Sequence, residues 1–231
     1  MIVNVSVLML ECQLVEIEYF GLSAFRLRGK GVTVVTDPYG RDTGLKLPRL
    51  TAEIVTVSHD HFDHNFIEAV SGTAKRSRPL VVAAPGEYEA EGVSIYGFPS
   101  WHDETLGAER GKNTVFAIYI DGVRVAHLGD LGHILTDKQV EAVGKVDVLL
   151  LPVGGMYTIG VKEAMKVIEA VSPSVVVPMH YKIPGLAKTF DELVGVEEWV
   201  KVVGEVKRMD KLVVDKEGLP ESTEHVILQH G

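Results

Sequence analysis

Cysteine is almost missing from this 231-residue chain. The one residue, Cys12, has no partner for an intrachain disulfide, so the fold must rest on its apolar core, as in a reducing cytosol. Cys12 reads as a small apolar filler of a first strand rather than as a reactive thiol. Also missing is any apolar run near the roughly 18 residues that a membrane span needs. The apolar start, Met1 to Leu10, has no basic leader and is interrupted by Asn4 and Ser6, which predicts a strand and not a signal segment. Positive charge is in deficit. With 23 Lys and Arg against 32 Asp and Glu, the net charge is −9, which argues against a nucleic-acid groove. Asn and Gln are scarce, at three each, a bias that goes with thermophily. These absences predict a cytoplasmic protein with neither a membrane nor a nucleic-acid partner, and they leave a homo-oligomer open.

What is present is ordinary for a soluble globular protein. Hydrophobic residues make up 46% and charged residues 24%. No low-complexity linker divides the chain, so a single domain over 1–231 with a sizeable core is expected. Short apolar segments punctuated by Gly21, Gly29 and Gly31 predict strands at 3–10, 14–20, 24–28 and 32–36, and a further strand at 53–58. A helix is expected over 65–74. Strands follow at 80–84, 93–98, 114–120 and 123–128, the last two joined across Asp121-Gly122, a strong hairpin signal. Thr136 and Gln139 form a capping box that opens a helix, and Thr189 with Glu192 predicts a second one leading to a helix that carries Trp199. Between these lie a strand at 148–152, a helix at 161–171 and a strand at 174–178, with a last strand at 226–228. Strand-rich halves that each lead into βα units predict an α/β fold with two sheets face to face and helices outside.

The chemistry is concentrated in Ser58-His59-Asp60-His61-Phe62-Asp63-His64. His59 and His61 are two apart and point the same way in an extended chain, whereas Asp63 and His64 come as the chain turns toward a neighbouring point. Neutral imidazole and carboxylate are the ligands that divalent Zn, Mn or Fe accept. His102, Asp130 and His180 also follow predicted strands. Together these residues make seven, about the number that two metal ions need if one ligand is shared. Other residues have two readings. His127 is a core residue or a partner behind the ligands. His133 is a pocket residue or a helix-entry contact. Asp60 orients an imidazole or faces water. Gly154-Gly155 is an anion cradle or a sharp turn. His133, Tyr157 and Lys182 are the candidates for substrate contact.

The order His59-x-His61-x-Asp63-His64, His102, Gly129-Asp130, Pro178-Met179-His180 resembles the metal motifs of the metallo-β-lactamase superfamily. Asp37 matches that superfamily's early structural aspartate. Within it, His102-Asp103, His127 to His133, Pro152 to Gly155 and Met179 to Lys182 look most like the stand-alone hydrolases related to ascorbate-6-phosphate lactonase. The resemblance implies a four-layer αββα sandwich with two mixed sheets. It implies one site of His59, His61 and His102, a second of Asp63, His64 and His180, and Asp130 bridging them. Two divalent ions, Zn ahead of Mn or Fe, would hold a bridging hydroxide, with Asp63 as the catalytic carboxylate. The expected activity is hydrolysis of an ester, lactone, phosphodiester or amide in a small molecule. The alternatives are an iron-dependent oxidoreductase and a catalytically silent binding protein. Diiron reductases of the superfamily carry Glu where this chain has His61, so the histidine favours hydrolysis, and the complete ligand set argues against silence.

Overall fold

A computed structural model describes residues 13–230. The strand expected at 3–10, and Cys12 with it, lie outside the described residues. Two mixed sheets form the body. One has six strands in the spatial order Lys211–Val214, Val15–Gly21, Ala24–Gly29, Val32–Thr36, Ile54–Thr56, Leu80–Val82. The other has eight, in the order Lys207–Met209, Glu224–Leu228, Val175–Met179, Val148–Pro152, Val123–His127, Lys112–Ile120, Val93–Trp101, Gly86–Ala90. Antiparallel pairing dominates the hairpin side of each sheet and parallel pairing the βα side.

The two-residue period of a strand explains the layers. Val34 and Ile54 belong to the large core, which also takes in Phe116, Ile118 and Leu150 from the eight-stranded sheet. Their neighbours Val35 and Val55 point the other way, into a second cluster with Tyr39, Leu50, Val70 and Phe190. Val148–Pro152 and Val175–Met179 are buried at every position, as parallel strands covered on both faces are. The helices α1 (Asp137–Val143), α2 (Val161–Val171) and α3 (Val196–Val203) follow strands Val123–His127, Val148–Pro152 and Val175–Met179 and lead on to parallel strands. Right-handed crossovers therefore place all three on one outer face. α2 buries Ala164, Val167, Ile168 and Val171, and α3 buries Trp199. No helix among the described residues is long and apolar enough to cross a membrane.

Local signals worked where they were strong. Asp121 and Gly122 both have positive φ, at 46° and 79°, as a two-residue hairpin of this type requires. The Thr136 capping box forms: the Thr136 hydroxyl accepts from the Gln139 N–H at 3.3 Å, and Gln139 Oε1 accepts from the Thr136 N–H at 3.0 Å. Thr136→Ala should cost about 1 kcal/mol, read as a lower chemical-denaturation midpoint, because the first turn of α1 loses that acceptor.

Two expected helices are corrected. Residues 65–74 form a single 3-10 turn, Ile67–Ala69, followed by a two-residue strand, Val70–Ser71, that pairs with Leu50–Thr51. Val70 is drawn into the second apolar cluster, and Gly72 sits where a Cβ would lie 2.2 Å from the Arg76 carbonyl. Val, Ser, Gly and Thr in succession have low helix propensity, so nothing local opposes that packing. The box at Thr189 does not form: Thr189 lies inside a 3-10 turn, Lys188–Phe190, whose N-cap is Ala187 with no side-chain cap, and α3 starts later, after Gly195. Phe190 and Leu193 enter the second cluster, and Val194 is tied in extended form to Gly154 and Lys182, which leaves no room for a helix there. The strands at 86–90, 207–209 and 211–214 are additional to those expected; they are short and mostly exposed, so they carry little periodic signal.

Candidate metal centre

The ends of five strands meet at one edge of the sandwich. Asp37 follows Val32–Thr36, the histidine loop follows Ile54–Thr56, and His102 follows Val93–Trp101. Asp130 lies just beyond Val123–His127, and His180 directly after Val175–Met179. Carboxyl ends of strands are where α/β proteins gather their chemistry. Asp37 and His180 both sit at positive φ, 39° and 51°, which turns each side chain out of its strand.

Ring nitrogens and carboxylates fall into two groups, His59 with His61 and His102, and Asp63 with His64, Asp130 and His180. Within each group the ligand atoms lie within 4.8 Å of one another. Asp130 Oδ2 joins the groups: it is 3.2 Å from Nε2 of His64, His102 and His180, and 4.0 Å from His59 Nε2. Asp63 Oδ2 is 3.4 Å from His64 Nε2 and 3.7 Å from His180 Nε2. All are buried except His61, which opens to solvent.

A second set of polar groups orients the first. Buried Asp37 accepts from the Ser58 N–H at 2.8 Å and the Ser58 hydroxyl at 2.5 Å, and its Oδ2 lies 2.9 Å from His64 Nδ1. Ser58 Oγ in turn meets His59 Nδ1 at 2.9 Å. With the serine proton directed to Asp37, His59 donates through Nδ1 and presents a bare Nε2, 3.0 Å from His61 Nδ1. Asp130 is held at both ends, its N–H by Asn113 Oδ1 at 3.0 Å and its Oδ1 by the Ser23 hydroxyl at 3.3 Å. His127 accepts from the Gly129 N–H at Nδ1 and donates from Nε2 to the Ser23 carbonyl at 2.9 Å, which makes it a neutral support behind the cluster.

The electrostatics divide along the same line. Burial, reinforced by His64, pushes His59 down to about 3, and burial with His102 also lowers His61. These rings are neutral and ready to donate lone pairs. Burial works against charge on His64 and His180 too, but Asp130 and Asp63 outweigh it and raise both. Burial alone would raise Asp63 and Asp130; His64 and His180 hold them down as carboxylates.

These residues fit a divalent metal. His64 Nε2 and His180 Nε2 are buried with no hydrogen-bond partner, yet both face carboxylates. Unpartnered buried nitrogens are costly unless a ligand engages them. Imidazole and carboxylate suit Zn, Mn or Fe.

Of the seven residues singled out for metal, all seven come together here. The three candidates for substrate contact do not form a set. His133 receives the Trp101 N–H at Nε2 and meets the Ile134 carbonyl at Nδ1. Lys182 is bound to Asp191 at 2.5 Å and to the Phe190 carbonyl at 3.3 Å. Tyr157 donates to the Thr189 carbonyl and borders a cavity of 320 Å³ that His102 also lines. Asp60 faces solvent and accepts from Asn65. Gly154 is a close-approach residue, where a Cβ would lie 2.0 Å from the His180 carbonyl, and the Gly155 N–H is spent on the Ile159 carbonyl at 3.3 Å. Sequence reasoning missed Ser58, Ser100 and Asn113, the polar frame under the ligands, although Ser58 adjoins His59. It also missed Arg110 and Trp101, which line a 650 Å³ cavity beside His59 and His61.

A family model described as a beta-lactamase superfamily domain matches residues 16–180. A metal-dependent hydrolase of Thermococcus onnurineus is 32% identical over 212 residues, covering 79% of this chain and 93% of that protein. Among solved structures, one described as a Zn-dependent hydrolase of the metallo-β-lactamase superfamily, from Thermotoga maritima, has 37% identity and a TM-score of 0.75, covering 93% of this chain and 98% of its own. A metallo hydrolase from Ignicoccus hospitalis has 25% identity and a TM-score of 0.66, covering 87% and 99%.

Proposed function

The chain belongs to the β-lactamase superfamily and is a metal-dependent hydrolase, and from that premise we propose that it is a dinuclear enzyme acting on a small molecule with an ester, lactone, phosphodiester or amide bond. His59, His61 and His102 would hold one ion, and Asp63, His64 and His180 a second, with Asp130 shared. The observation that carries this reading is the position of Asp130 Oδ2, equidistant at 3.2 Å from ring nitrogens of both groups. Zn leads as the metal, since the donors are nitrogen and oxygen only and the Thermotoga protein is described as Zn-dependent. Bound divalent ions supply a water acidified toward a pKa of about 7 and a Lewis acid for the leaving oxygen.

The chain's own residues set up the rest. Asp63 stays ionised beside His64 and His180 and is placed to take or hold a proton from the attacking water. Asp37 fixes the ring plane of His64, and Ser58 that of His59. His61, the partly exposed member, marks the side from which substrate arrives.

His61→Ala tests the reading. Metal analysis should fall from two equivalents per chain to one, and hydrolysis of a responsive ester, lactone or phosphodiester should drop by at least about 100-fold, with the melting transition retained. A variant that keeps both ions and full activity would sink the ligand assignment. A single redox-active iron per chain in anaerobically prepared protein, with oxygen uptake, would favour the oxidoreductase alternative.

A further inference from the structure

Arg110 stands where two cavities beside the histidine cluster meet. It lines the 650 Å³ cavity with His59 and His61, and the 320 Å³ cavity with His102. Its position is determined from both ends. Its backbone N–H donates to Asp103 Oδ2 at 2.8 Å, and Asp103 also accepts from the N–H groups of Thr105, Gly107 and Glu109. Its guanidinium lies 4.4 Å over the ring of Tyr157, which is itself tied to the Thr189 carbonyl. A guanidinium stacked on an aromatic face keeps its in-plane N–H donors available at its edges. Among the described residues, no carboxylate or carbonyl pairs with those donors.

The two cavities differ in charge. The smaller one is lined by Asp103, Glu104, Glu109 and Glu163, which would repel an anion. The larger one holds Lys112 as a second cation against a single carboxylate, Asp60, which accepts from Asn65. Much of its remaining wall is apolar: Trp101, Pro85, Pro99, Ala83 and Ala84. A cavity of this size suits a small molecule.

We propose that the larger cavity is the substrate site and that Arg110 is its specificity residue. The substrate carries a carboxylate or phosphate, which the guanidinium fork takes in two-pronged fashion, and an apolar body that lies along Trp101 and the prolines. The bond that is broken rests on the hydrolase reading above; the anion recognition does not.

Titration calorimetry on the metal-loaded full chain tests this with hexanoate, hexyl phosphate and hexanol as probes. Wild type should bind one or both anions at least about tenfold tighter than hexanol, the worth of a charge-assisted pair. The tighter anion tells carboxylate from phosphate. Arg110→Gln should erase the preference with metal content and melting temperature unchanged, and Arg110→Lys should keep only part of it. Equal affinity for all three probes in wild type overturns the proposal. So does a preference that survives intact in Arg110→Gln, since the metal ions alone would then hold the anion. Should the glutamine variant lose metal, Arg110→Lys decides: a preference cut several-fold supports the fork, and an uncut one overturns it. Turnover by wild type of a panel of esters, lactones, phosphodiesters and amides that carry a carboxylate or phosphate reports separately on the hydrolase reading, so anion binding with no turnover of any of them would sink that reading and leave this one standing.

Discussion

Asp130→Ala is expected to abolish turnover and leave at most one metal ion per chain. The loss should exceed the roughly 10–100-fold that removal of an outer hydrogen-bond partner costs a metal site, because in the proposed dinuclear centre Asp130 is the anion that both groups would share. Its Oδ2 lies 3.2 Å from three ring nitrogens, and Ser23 and Asn113 hold it there. Alanine leaves His64 and His180, both fully buried, with Asp63 as the one carboxylate facing their Nε2 atoms. Metal analysis by mass spectrometry and a hydrolysis assay, each repeated at saturating metal, check the outcome. Excess metal should restore occupancy in part and activity hardly at all. Wild-type metal content together with a wild-type rate would remove Asp130 from the centre. Asp130→Asn separates charge from shape: it fills the same space and can still accept from Ser23, so it should fold like wild type and bind metal poorly.

Gly154→Ala should be among the most damaging single methyl additions near the site. The new Cβ would lie 2.0 Å from the His180 carbonyl oxygen and 3.0 Å from a Leu193 methyl. The first obstacle is backbone, in the segment that presents His180, so it cannot swing aside. Overpacking of this kind costs about 1–3 kcal/mol, and more when the obstacle is rigid. At roughly 2–4 °C per kcal/mol for a chain of this size, the melting point should fall by about 5–10 °C. Bound metal should fall too, because relief of the contact moves His180. Gly195→Ala is the control. A Cβ there meets nothing within 4 Å and its φ is an ordinary −77°, so the expected cost is only that of a poorer N-cap residue, about 0.5–1 kcal/mol. Equal melting points for the two variants would show that the strand end yields more easily than the geometry implies.

Much of the site was legible because its information is local. His59 and His61 declare a shared side by their spacing, and the turn after them sends Asp63 and His64 elsewhere. His102, Asp130 and His180 announce themselves by following apolar strands. The hairpin at Asp121-Gly122 and the cap at Thr136 are likewise decided by side chains within four residues. Elements failed where distant packing overrode local preference. Val70 and Phe190 both pack into the cluster outside the six-stranded sheet, and neither segment forms the helix its neighbours suggest.

By itself, then, the sequence determined which imidazoles and carboxylates follow which strands and the class of metal that such donors suit, since each depends on residue type and short-range geometry. The tertiary structure decided what depends on separation along the chain. It placed Ser23 against Asp130 across 107 residues, and it closed Asp37 onto His64 across 27. It turned His133 and Lys182 into internal hydrogen-bond partners. It set Arg110, a residue with no motif around it, on Tyr157 and between the two cavities. A side chain's partners there are chosen by which strand ends the sheets bring together, and no local pattern encodes that choice.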